Sequence, residues 1–244
     1  MKKNNIYKSL MWIIALIPFA ITAVILPGLP EKVPMHFDIN GNVDRWGSKY
    51  EELILVITFL LMTLFMHFVI TFFEKKGTKA DDEKTKAECA TNAKVASIAG
   101  ILMAVFSGAA YIGILYSTTQ MAKTGSETMD INSGRITCVM MGILFIVLGN
   151  IMTKTRRNAL VGFRCSWTQY NDTTWRKSNR LGAILMMIAG VITLILALVM
   201  DNPTHAMAVM TGMLILLTIV TLIYAHKIYV IEKATDNASD APKA

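Results

Sequence analysis

The chain has 244 residues, 54% of them hydrophobic and only 17% charged, with a formal net charge of +7. Apolar residues gathered into blocks exclude an ordinary soluble domain, and a basic excess that sorts by loop is a topology signal rather than a nucleic-acid surface, so no nucleic-acid partner is expected. Six blocks without Asp, Glu, Lys or Arg fall at roughly 9–27, 53–73, 95–118, 136–152, 181–200 and 206–225. About 20 helical residues cross about 30 Å of hydrocarbon, so each block reads as a membrane span.

The first block follows Lys2, Lys3 and Lys8 and lacks a small-x-small cleavage site, so it is expected to stay as a helix, kinked at Pro18. The segment after it, 28–51, is unlike its surroundings. Pro27, Pro30 and Pro34 stop the helix and bias the residues before them to extended backbone, so KVPMHF reads as an extended run. Asn40-Gly41 and Gly47-Ser48 are turn chemistry, and Trp46 suits the headgroup level. The expectation is a short ordered cap with tight reversals, in which Asp44 accepts turn amides and Lys49 closes the cluster. Glu51 and Glu52 then start the second helix, where acidic groups complement the helix dipole.

The loop at 74–94 mixes both signs of charge and reads as a solvated connection that continues the helices on either side. The third block carries Ala96, Gly100, Ala104 and Gly108, a spacing that lets a neighbouring helix approach closely; packing within the bundle is the simpler reading and a dimer seam the sharper one. The loop at 153–180 holds Lys154, Arg156, Arg157, Arg164, Arg176, Lys177 and Arg180 with Trp167, Tyr170 and Trp175 among them. Basic residues beside amphipathic aromatics suit an interfacial segment on anionic lipid, at roughly 1 kcal/mol per basic residue, or a docking surface for an acidic partner. The tight turn DNPTH at 201–205 makes the last two spans a helical hairpin. The fold class expected is all-α: a polytopic membrane protein, one domain over 1–232 with six transmembrane helices and a short structured outer loop, followed by a polar, disordered tail at 233–244.

With the N-terminus inside, 19 Lys and Arg fall on the inner side and 5 on the outer, while acidic residues divide 9 to 8. Lys and Arg, not net charge, set orientation, so both termini are expected in the cytoplasm of a plasma membrane protein. Cys89 and Cys165 lie in inner loops and Cys138 in a span, so no disulfide is expected. Carriers coupled to protons keep ionisable groups within the membrane. Here only His67 and His226 come near, both at inner span ends, which disfavours a proton-coupled carrier. H-E-x-x-H, G-x-S-x-G, P-loop and C-x-x-C motifs are missing, so no enzymatic activity and no cofactor are assigned. On the outer side His36, Asp38 and Asp44 share one loop, with His205 and Asp201 on the same face; a divalent cation there is an open alternative, and a histidine fixed by a carboxylate or carbonyl the commoner arrangement.

The cap resembles the segment after the first helix of the SdpI-type immunity family, a Leu-Pro-x-x-Val-Pro-x-His-Phe stretch followed by Gly-x-x-Asp and Gly-Ser-Lys. The matching positions are Leu29, Pro30, Val33, Pro34, His36, Phe37, Gly41, Asp44, Gly47, Ser48 and Lys49. A second block, 149–182, is similar to the family's other signature at Asn150, Arg157, Asn158, Gly162, Arg164, Trp167, Thr168, Trp175 and Arg180. It departs from that pattern at Ser166, where the family usually has Pro, and at Asn179, where it usually has His. The resemblance implies a membrane protein that protects a cell from a secreted peptide toxin and, in some members, signals by recruiting a cytoplasmic repressor. It makes His36, Asp38, Asp44 and Lys49 candidates for toxin contact. Asn150, Arg157, Asn158, Arg164, Trp167, Thr168, Trp175 and Arg180 become candidates for a cytoplasmic partner or anionic headgroups. The alternatives are a transporter of small solutes or peptides, and a metal-dependent membrane enzyme using the outer His/Asp cluster.

Overall fold

The computed structural model describes residues 2–38, 42–126, 133–200 and 202–239. In chain order the elements are α1 (Lys2–Ile25), a turn of 3-10 helix (Leu26–Gly28), β1 (Lys32–Phe37), β2 (Val43–Ser48), α2 (Glu51–Lys79), α3 (Glu83–Thr124), α4 (Ser133–Met152), α5 (Asp172–Val199) and α6 (Pro203–Ser239). All six α-helices are long and apolar enough to cross a membrane. Their outward faces keep large apolar side chains exposed, Val24 at 80%, Phe65 at 64% and Leu198 at 71% among them, a surface that lipid and not water can cover. The protein is an all-α, multi-pass membrane protein.

Helices overrun the apolar blocks because Lys, Glu and Ala are good helix formers and the backbone does not stop where hydrocarbon does. α2 continues to Lys79, and α3 starts after Asp82, whose carboxylate accepts the Thr85 amide at 2.7 Å. α6 runs on to Ser239 through most of the polar segment expected to be disordered. Glu232 accepts hydrogen bonds from Asn171 and Lys177, and Asp236 accepts one from Tyr170.

The chain divides into two compact units, Met1–Met140 and Met141–Ala244. In the first, α1, α2 and α3 pack mutually around Met11, Val56, Ile70 and Tyr111. The small-residue stripe of α3 is packing within this unit: a Cβ on Gly100 would stand 2.6 Å from the Met11 sulfur, and one on Gly108 3.1 Å from the Pro18 ring. Lys8 pairs with Glu74 between α1 and α2 and also donates to Thr71 at 3.2 Å. Trp12 donates to His67 at 3.3 Å, so this histidine is a hydrogen-bonded span-end residue.

In the second unit α5 and α6 form the expected hairpin. α4 meets α5 backbone to backbone, since a Cβ on Gly142 would lie 2.9 Å from the Gly190 carbonyl oxygen and one on Gly149 2.7 Å from that of Ala183. This second glycine seam was not anticipated.

The N-cap of α3 makes one expectation specific. Hydrogen bonding to the Thr85 amide holds the Asp82 carboxyl below its ordinary value. A lowered folded-state pKa means the cap's contribution is complete above the unfolded value of about 3.9 and is lost as pH falls through the folded one. Hydrogen exchange at the Thr85 amide should quicken below about pH 4 in the wild type and be fast at all pH values in Asp82→Ala.

Candidate functional site

Two regions concentrate polar chemistry, one in each unit. The first is the hairpin cap. Val33 pairs with Gly47, Pro34 with Trp46, and His36 with Arg45, with irregular register on either side of His36. Proline is tolerated because this sheet has only two strands, so every strand is an edge. Leu29 and Val33 tuck under the hairpin against Val56, Tyr111 and Leu115, fixing the cap to the ends of α2 and α3. Gly47 is needed for closeness: a Cβ there would fall 2.3 Å from the Glu51 carboxylate and 2.7 Å from Met35.

The cap's charges are paired. His36 Nδ1 lies 2.6 Å from Asp44, with both side chains exposed to solvent. Asp38, not Asp44, closes the tip, accepting the Asn42 backbone amide and side-chain amide at 2.8 Å each. Asp44 is instead taken by His36 of the paired strand. Lys49 is buried, donating to the Leu29 carbonyl at 3.2 Å and pairing with Glu31 at 3.0 Å, so it anchors the hairpin base. Arg45 pairs with Glu51 at 2.9 Å. Trp46 is exposed, as an interfacial anchor would be. Among the described residues no three His, Cys, Asp or Glu side chains converge as a metal site would require. Gly41 and Asp201 lie outside the described residues, and His205 belongs to the other unit.

Glu52, whose place in the sequence marks only a helix start, is 2% exposed. It lies against the hydroxyl of Tyr111, which is itself fully buried and shares a 2.8 Å hydrogen bond with Thr22. Thr22 donates onward to the Pro18 carbonyl at 2.8 Å.

The second region is the segment between α4 and α5, which lacks regular structure yet is ordered by its own side chains. Asn158 accepts the Leu160 and Val161 amides at 2.8 Å each and donates to the Arg156 and Val161 carbonyls. Arg157 donates to the Gln169 carbonyl at 3.1 Å and pairs with Asp172. Thr168 is fully buried, bonded to both backbone groups of Cys165. Trp175, 2% exposed, donates to the Thr155 carbonyl past the end of α4. Asn171 caps α5 in a capping box with Thr174. Asn179 accepts the Phe163 amide at 2.8 Å and donates to the Phe163 and Trp175 carbonyls. Gly162, at φ +133°, passes directly over Asn179 and Trp175.

Of the eight residues singled out here, Arg157, Asn158, Thr168 and Trp175 thus direct their polar groups inward and hold the loop. Asn150, Arg164 and Arg180 are exposed, and Trp167 lies half-buried with its ring 4.7 Å from that of His226. The loop works as a frame that presents guanidinium groups outward. Its inward hydrogen bonds were invisible in the sequence, where Asn and Thr between arginines read as generic loop polarity.

Known proteins resemble this chain in both regions. Residues 154–225 match the SdpI/YfhL protein family, and residues 13–62 match a domain of unknown function, DUF1648. The first match takes in the loop, α5 and most of the apolar length of α6; the second takes in the second half of α1, the hairpin and the first turns of α2. Over 199 residues the chain is 24% identical to the immunity protein SdpI of Bacillus subtilis (strain 168), covering 81% of this chain and 82% of that protein. No solved structure matches it.

Proposed function

We propose that this chain, which is similar to the SdpI-type family, is a membrane immunity protein that protects its cell from a secreted peptide toxin. The observation that carries this reading is the extent of the likeness: it covers 81% of the chain, and the matched families take in both the cap and the arginine-bearing loop. The Lys and Arg bias orients the cap outward and the loop and both termini toward the cytoplasm. The toxin then meets His36, Asp38, Asp44 and the hairpin face fixed by Lys49. On the inner side Asn150, Arg164, Trp167 and Arg180 face anionic headgroups or an acidic regulator, which would give the protein a signalling role. No turnover is assigned.

Expression in toxin-sensitive cells tests this. The wild type should confer protection. His36→Ala, which breaks an exposed pair without opening the core, should lower the tolerated toxin concentration roughly tenfold at equal membrane abundance, the size of one interaction of about 1.4 kcal/mol. Arg164→Ala should keep protection and lose any toxin-dependent recruitment of a cytoplasmic protein. A wild type that protects against no candidate toxin refutes the immunity reading. Labelling that puts positions 36 and 164 on one side refutes the assignment of roles.

A further inference from the structure

Beneath the hairpin, between β1, the first turns of α2, the last third of α3 and the first turns of α4, lies a cavity of about 300 Å³. That is at the small end of ligand pockets, room for one amphiphilic side chain or a small organic molecule. Its wall is mainly apolar, with Phe37, Leu55, Ile114 and Met140 among the lining residues, and Gly113 leaves space where any other residue would begin to fill it. One acidic side chain lines it, Glu52, 2% exposed. Three basic side chains of the cap are engaged elsewhere: Lys49 with Glu31, Arg45 with Glu51, and His36 with Asp44. Among the described residues Glu52 has no cationic partner; its one polar neighbour is the neutral Tyr111 hydroxyl, which hydrogen-bonds to it and to Thr22.

A carboxylate held out of water without a counter-charge is costly, and the cost is recovered when a cation with matching hydrogen-bond donors enters the same space. The N-terminus of α2 favours negative charge at this position. We propose that the cavity is a binding site for an alkylammonium group, whose charge meets Glu52 while its hydrocarbon stem lies along Leu55, Ile114 and Met140. The site follows from the cavity and its carboxylate alone and does not depend on the immunity reading. The same chemistry is offered by a free amine and by a lysine side chain of a peptide.

Calorimetric titration of the full-length protein in lipid nanodiscs tests it, with n-hexylammonium, n-hexanol and hexanoate as probes. Hexylammonium should bind the wild type at least tenfold more tightly than hexanol does, and hexanoate should not bind. Glu52→Gln, which keeps the shape and removes the charge, should abolish the preference for the ammonium. Gly113→Leu, which fills the space and leaves Glu52 in place, should abolish binding of both, and it tests the site independently should Glu52→Gln fail to fold. Acetyl-Leu-Lys-Leu-amide, compared with its norleucine analogue, identifies the source: tighter binding than hexylammonium assigns a peptide lysine, weaker binding a small amine. Equal binding of hexylammonium and hexanol to the wild type overturns the proposal. So does a hexylammonium affinity that neither substitution changes.

Discussion

Gly162→Ala should collapse the arginine-bearing loop. The added Cβ would stand 2.4 Å from the Asn179 side-chain oxygen and 2.8 Å from the Trp175 ring, and at φ +133° the backbone itself disfavours an L side chain. Neither neighbour can give way cheaply: Trp175 is 2% exposed and bonded to Thr155, and Asn179 is tied to Phe163 on both sides. Overpacking of this kind costs about 1–3 kcal/mol and the backbone strain about the same again, so a loss of roughly 3 kcal/mol or more is expected. Trypsin digestion of native membranes reads it directly. Cleavage after Arg156, Arg157 and Arg164 should become fast in the variant, with a lower thermal midpoint. Gly212→Ala, in α6 of the same unit, is the control. Nothing stands within 4 Å of its added Cβ, so neutrality or a slight gain is expected there.

How far the sequence foretold this arrangement depends on whether a feature is local. The extended run KVPMHF became β1 because proline geometry acts within two residues, and the six spans were legible because hydrocarbon thickness acts on length alone. What was missed needed partners distant in sequence. Asp38 takes the tip amides expected of Asp44, because strand pairing, not loop composition, decides which carboxylate reaches His36. Glu52 sits one residue outside the second apolar block, and only the hairpin folding over it makes it a buried group. The end of α6 looked disordered because its polar composition was read without Tyr170, Asn171 and Lys177, which bond to Asp236 and Glu232 from the loop and the start of α5. Charge composition describes what a segment does in water alone. It does not describe what the segment does beside complementary side chains.

The departure at position 179 carries the other large expectation. Asn179 is 2% exposed and serves three backbone groups, accepting from the Phe163 amide and donating to the Phe163 and Trp175 carbonyls. Asn179→Ala leaves the Phe163 amide and carbonyl without this partner at a site largely closed to water, while the Trp175 carbonyl keeps its helical bond. With about 1–3 kcal/mol for each unmet buried group, partly offset by relaxation, a loss of about 3 kcal/mol is expected. Asn179→His, which restores the residue the related pattern usually carries, should recover much of this. A neutral imidazole has one N–H and one lone-pair nitrogen, enough to accept from Phe163 and to donate to one carbonyl. It should also introduce a pH dependence that the amide lacks. Protonation removes the acceptor that the Phe163 amide needs, so folding favours the neutral ring and lowers its pKa below the exposed value of about 6.5. Stability is then complete above that value and falls as pH drops beneath it. Protease protection of the loop, followed from pH 8 to pH 5, should stay flat in the wild type, decline below about pH 6.5 in Asn179→His, and be low throughout in Asn179→Ala. A histidine variant as unstable as alanine at pH 8 would show that the amide's shape, and not its pairing of one donor with one acceptor, is what the loop requires.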